Sequence, residues 1–163
     1  MYLNQKYKAL LKEAHKRNLP DLEGIQLCFK TLSLASHIDR DCANQLAVFN
    51  LSEGRFILLF LLDAAGGGVA PKVLAEQAGI SRATVTGLLD GLARDALIER
   101  QASTEDRRSL NVQLTAKGKL IAQQVFEKHS LWISGLFSHL SLDERQQLSN
   151  LLEKISSNLT HQE

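Results

Sequence analysis

LAEQAGISRATVTGLLDGLARDALIERQASTEDRR, residues 74–108, reads as a helix, a tight turn, a second helix and a hairpin. Gly79 stands where the first helix must end, the residue type that enters the left-handed region without a Cβ penalty. Ser81 follows as an N-cap, its hydroxyl placed to accept an amide proton of the next turn. Val85, Leu88, Leu89 and Leu92 then recur at helical spacing to about residue 95 and predict one buried face. Two helices joined by a three-residue turn make a helix-turn-helix, with small Ala75 at the crossing and Val85 locking the second helix to the first. Beyond Leu97, IERQAS and LNVQLT are two short strands around the charged tip TEDRRS. In the second strand Leu110, Val112 and Leu114 alternate with Asn111 and Gln113, so those three apolar residues are expected to face inward.

On the N-terminal side, residues 2–17 carry Leu3, Tyr7, Leu10, Leu11 and Ala14 on one helical face, and Asn18, Leu19 and Pro20 break the pattern. A 3.6-residue period resumes over residues 21–49 and predicts a helix of up to eight turns. Ser52 caps the next helix and Leu51 is placed to staple onto Phe56. FILLFLLDAA is apolar nearly all round, which puts this helix in the middle of the core. Gly66, Gly67 and Gly68 end it in an expected flexible connection, and Pro71 suits the first position of the following helix, although Ala70 is a poor cap. On the C-terminal side Thr115 caps a long helix from residue 116 to about 138, with Ile121, Val125, Trp132, Leu136 and Leu140 on one stripe. Ser141 and Glu144 form a capping box that opens a last helix through residue 155.

The 163 residues fit one domain or two small lobes sharing a core, and a formal net charge of +1 gives no general basic excess for binding nucleic acid. Residues 74–108 hold five arginines against six acids. Any attraction for phosphate therefore rests on a few placed groups. The longest apolar run, residues 56–62, is far short of the ~18 residues of a membrane span, and the N-terminus has no secretory pattern; the expectation is a cytoplasmic protein that does not enter membranes. No phosphate-binding glycine loop, nucleophile–base pair or metal-ligand spacing among the five histidines marks an enzyme or a cofactor site.

The joint occurrence of LAEQAGISRATVTGLLDGL, EDRR and LTAKG resembles the MarR family of winged-helix transcriptional regulators, over nearly the whole chain and most tightly over residues 52–120. The resemblance implies a mainly α fold with a small β-hairpin wing, a winged helix-turn-helix whose dimer is formed by N- and C-terminal helices. Residues 1–50 and 116–163 would supply dimerisation helices and residues 51–115 the DNA-binding lobe, in one intertwined domain. By position, Ser81, Arg82, Ala83, Thr84 and Thr86 would face the major groove of double-stranded DNA, at a palindromic operator read by a homodimer. Arg108 would enter the minor groove with Asp106 orienting it, and Arg107 would meet the backbone. Gly87 and Gly91 depart from the longer, often basic, side chains of many relatives; the departure implies close approach of the backbone to DNA or to a neighbouring helix, fewer base contacts, and specificity that leans on DNA shape.

Relatives bind small aromatic acids in a cleft between dimer helices and DNA-binding lobe, which points to an aromatic or phenolic effector releasing a repressor and to His37, Arg40, Arg55 and Phe56 as its lining. Trp132, Phe126 and Phe137 read instead as dimer or lobe core. Cys28, in QLCF, is placed like the cysteine of peroxide-sensing relatives and gives an alternative, a thiol redox regulator. Those sensors surround their cysteine with tyrosines, where this chain has Leu32 and Cys42, so a small buried apolar residue is the preferred reading of Cys28. A winged helix used only for protein interaction is the remaining alternative. Cys28 and Cys42, fourteen residues apart on one predicted helix, lie about 21 Å apart and cannot bridge there.

Overall fold

The computed structural model describes residues 3–102 and 110–160. In order, it contains α1 (Gln5–Lys16), α2 (Leu22–Ala47), α3 (Glu53–Ala65), α4 (Pro71–Ala78), α5 (Arg82–Arg94), β1 (Ile98–Ala102), β2 (Leu110–Leu114), α6 (Ala116–Leu136) and α7 (Leu142–Thr160). The apolar helix α3 is the hub, packing against α2, α4, α5, β2 and α6. Leu58, Leu59 and Leu62 from α3 interlock with Leu74, Val85, Leu89, Leu92, Val112, Ala122 and Val125, all buried. Most of the continuous hydrophobicity in α3 is thus explained by its five neighbours, although Phe60 stays exposed.

The local signals fix the helix ends. Ser52 accepts from the amide of Arg55, Ser81 from Thr84 and Thr115 from Gly118, while Gly66 and Gly79 both adopt φ +65°. Ser141 and Glu144 exchange the two bonds of a capping box, Ser141 N–H to the Glu144 carboxylate at 2.8 Å and Glu144 N–H to the Ser141 hydroxyl at 3.3 Å. The helix they open runs to Thr160, a turn longer than the apolar pattern indicates.

The hairpin pairs antiparallel in the register Ile98 with Leu114 through Ala102 with Leu110. Two expectations are corrected here. Only Val112 of its strand is fully buried, Leu114 is half-buried and Leu110 is 54% exposed, because the outer end of β2 projects past the lobe. The glycine connection is also less free than its composition suggests: Val69 and Val112 exchange both backbone hydrogen bonds at 2.9 Å, adding a bridge to the wing. A Cβ on Gly68 would lie 3.1 Å from Cβ of Asn111, so a small residue eases that approach.

Helix α1 lies against α2, tied by a Tyr7–Phe29 ring stack at 5.0 Å and by Asn4 N–H donating to the buried Ser33 hydroxyl at 3.1 Å. In contrast, α7 packs substantially against no other element, and apart from half-buried Leu148 its side chains are exposed throughout the described part. Among the described residues no helix is long and apolar enough to cross a membrane.

Candidate nucleic-acid interface

Helix α5 buries Val85, Leu89 and Leu92 and turns Ser81, Arg82, Ala83, Thr84 and Thr86 to solvent. The five positions expected to face DNA are therefore all exposed around the first turns of one helix, its leading flank. Their chemistry is more constrained than their identities suggest. Ser81 Oγ accepts from Thr84 N–H at 3.1 Å and lies 2.8 Å from Thr84 Oγ1, and Thr86 Oγ1 donates to the Arg82 carbonyl at 3.0 Å. With that proton committed inside the helix, Thr86 offers a contact surface a methyl group and acceptor lone pairs. The Arg82 guanidinium has no hydrogen bond or ion pair among the described residues and is the free cation of this flank.

The rear of α5 is clamped from three directions. Arg55 of α3 forms an ion pair with Asp95, the C-cap of α5, and also donates to the Asn50 carbonyl at 3.2 Å. Its hydrogen bond holds the Asp95 carboxyl below the usual carboxylate range against the cost of burial, with the charges of Arg55, Lys117 and Arg94 adding smaller contributions. Lys117 Nζ donates to the Asp95 carbonyl at 2.9 Å, and Thr115 Oγ1 to the Ala96 carbonyl at 2.8 Å. Arg100 of β1 pairs with Asp90. Gly118 sits so close to the chain that an added Cβ would lie 1.8 Å from the Leu97 carbonyl oxygen. The residues of LTAKG thus form the joint that holds the recognition helix against the start of α6.

Four of the six acids of residues 74–108 have partners among the described residues. Asp90 and Asp95 are matched by Arg100 and Arg55, and Glu76 lies 3.9 Å from Lys72. Glu99 accepts amide protons from Gln101 and Gln113. Internal partners blunt the acids, while Arg82 remains available.

Asp106, Arg107 and Arg108 lie outside the described residues. Of the glycines, Gly91 faces the Arg55 side chain at an ordinary 3.5 Å, whereas nothing lies within 4 Å of a Cβ added to exposed Gly87.

The four residues expected to line an effector cleft sit on two helices, His37 and Arg40 on α2 and Arg55 and Phe56 on α3. Arg55 is committed to Asp95, Phe56 is buried against the His129 ring at 4.7 Å, and His37 and Arg40 lie further back along α2, half-buried and exposed respectively. The cavity at this junction, lined by Leu46, Phe49, Val125 and His129 among others, is about 100 Å³. Drug-sized ligands occupy about 300–1,000 Å³. The preferred reading of Cys28 as buried is corrected: its side chain is exposed, beside the groove between α1 and α2. Tyr7, brought by α1, stacks on Phe29, the residue after Cys28. Phe126 and Phe137 are partly exposed rather than lobe core, Phe126 stacking on Phe60 at 4.8 Å. The sequence reading missed Cys42 beside His129 and Trp132 bonded to Asp41, contacts spanning 87 and 91 residues that no local spacing announces.

A recognition helix with an exposed leading flank, an antiparallel wing and a clamped rear end define a winged helix-turn-helix protein. The comparisons with known proteins give the family. Residues 49–109 match the MarR family. The HTH-type transcriptional repressor YetL of Bacillus subtilis (strain 168) is 33% identical over 156 residues, 93% of either chain, and the regulator PecS of Dickeya dadantii (strain 3937) is 30% identical over 87% of this chain and 88% of its own. Among solved structures, that of the S. aureus MepR–DNA complex superposes with a TM-score of 0.66 at 25% identity, covering 77% of this chain and 92% of that one. The chain belongs to the MarR family of transcriptional regulators, which are not enzymes.

Proposed function

We propose that this chain is a homodimeric, cytoplasmic repressor that binds a palindromic site on double-stranded DNA through α5 and the wing and releases it on binding a small aromatic or phenolic effector. The observation that carries the DNA half is the exposed flank of Ser81, Arg82, Ala83, Thr84 and Thr86 on a helix whose rear is clamped. The repressor activity named for YetL and the DNA bound by MepR support the same reading. Residues 1–50 and 116–163 pair the copies and residues 51–115 carry the DNA-binding lobe. Exposed Leu151, Leu152, Ile155 and Leu159 give α7 an apolar stripe that packs substantially against no other element among the described residues, and which a second copy would cover.

Arg82 and Arg108 make the charged contacts, Asp106 orients Arg108, and Arg107 meets the backbone. Two recognition helices read half-sites about 10 bp apart, centre to centre. Fluorescence anisotropy with DNA from upstream of the gene tests this: tight binding should need both half-sites, weaken with salt, and fall in Arg82→Ala and Arg108→Ala variants that remain dimeric. Equal affinity for unrelated DNA would refute it, and retained specific binding by Arg108→Ala would remove the wing from the account.

The effector site involves His37, Arg40, Arg55 and Phe56 only if the small cavity opens or the partner chain completes it. A thermal-shift screen of phenolic acids reads that directly. A second reading, regulation through thiol oxidation, is favoured by the exposure of Cys28. Unchanged peroxide-induced DNA release in Cys28→Ser would exclude it.

A further inference from the structure

Helices α2 and α6 meet at two side chains that DNA binding does not use. Sγ of Cys42 lies 3.2 Å from Nε2 of His129. The imidazole packs against the rings of Phe56, at 4.7 Å, and Trp132, at 5.2 Å. Trp132 in turn donates Nε1–H to Asp41 at 2.8 Å, so the ring that backs the imidazole is itself anchored to α2. Both members of the pair are half-buried.

Burial, then the charges of Glu53, Asp39 and Asp41, push the Cys42 thiol above its usual range. Burial pulls His129 down, against the opposing pull of Glu53. Lys128, the neighbour of His129, extends over the Phe49 ring at 5.2 Å. The junction therefore sets a sulfur and a nitrogen donor side by side, with three carboxylates near enough to act on the pair.

We infer that Cys42 and His129 form a binding site for a soft monovalent cation, Cu(I) by chemical class, held between Sγ and Nε2. On binding, the thiol loses its proton to solvent and the sulfur–metal and nitrogen–metal bonds form, with no change of oxidation state. Donor number selects the metal. Among the described residues no group of three or more His, Cys, Asp or Glu is placed to hold an ion, so the four-ligand shell of structural zinc is not provided. A thiolate favours Cu(I), and imidazole is a good copper ligand. With metal–donor bonds of about 2.0–2.3 Å, the present separation subtends a bent angle near ~95°, and a linear arrangement needs about 4.3 Å. Loading therefore widens the contact between α2 and α6, next to Phe56 of the central helix.

The test uses the full chain with Cys28→Ser, which removes the exposed competing thiol. Cu(I) is titrated without oxygen against bathocuproine disulfonate, and the X-ray absorption of the bound copper is recorded. One equivalent per chain with one sulfur and one nitrogen neighbour is expected, lost in both Cys42→Ala and His129→Leu and weakened in His129→Gln, which keeps a polar side chain should the leucine variant misfold. No retained copper, copper without a nitrogen neighbour, or undiminished binding in the His129 variants would overturn the site.

Discussion

Ala96 stands in the left-handed region at φ 57°, directly after the C-cap of the recognition helix. Leu97 N–H reaches back to the Leu92 carbonyl at 3.0 Å, so this is a helix-terminating turn with alanine where glycine is usual. A left-handed alanine costs about 1–2 kcal/mol. Ala96→Gly should therefore stabilise the fold by about 1 kcal/mol after the extra chain entropy is counted, read by urea denaturation. Gly118 is the reverse case: with the Leu97 carbonyl 1.8 Å from the new Cβ, Gly118→Ala should cost more than about 2 kcal/mol or abolish soluble folding. The sequence places both residues near helix ends but is silent on the alanine's strain and on the carbonyl above Gly118, because each depends on how β1 leaves α5.

His129 and Asp95 give opposite forms of the same acid lesson. His129 is held neutral by burial, so the unfolded chain binds its proton first. Stability should be complete above the ordinary histidine pKa of about 6.5 and fall as pH drops from there towards the lower folded value. Melting curves between pH 7.5 and 5 should show a smaller loss in His129→Gln than in the parent. Asp95, lowered by Arg55, stabilises above the ordinary aspartate range and loses that contribution as pH falls through its lower folded value. Its half-exposed carboxylate makes the effect modest.

Among the elements, α5 concentrates a conflict between helix stability and contact. Gly87 lowers helix propensity by up to ~1 kcal/mol relative to alanine, and a Cβ there would meet nothing in the chain. Gly87→Ala should raise the melting temperature while weakening DNA binding, the two readouts moving apart. Improvement in both would show that DNA does not approach the helix at that point. Ser81→Ala should cost about 1 kcal/mol through the lost cap alone, so its DNA affinity must be compared at matched folded fractions. Caps, turns and the hairpin were legible because each depends on neighbours a few residues away. The joint behind α5 was not, since Arg55 and Asp95 are forty residues apart and Val69 joins the wing from beyond the glycine connection. The exposure of Leu110 likewise follows from where the lobe ends, which an alternating pattern cannot say.

At the scale of the whole molecule, large apolar side chains stay exposed along α2, α6 and α7, among them Leu27, Leu131 and Leu151. Leu151→Glu combined with Ile155→Glu should convert the proposed dimer to monomer in light scattering, with the lobe around α3 still folded. Persistence of the dimer would move the interface elsewhere. The resemblance implies paired helices, but not that α7 packs substantially against no other element among the described residues. A helix in a protein draws most of its stability from packing its apolar face, and this one of 19 residues has little such packing among the described residues. Dilution should then melt α7 as the copies separate, with circular dichroism falling in step with mass, so that abundance in the cell sets how much of the polypeptide is structured at all.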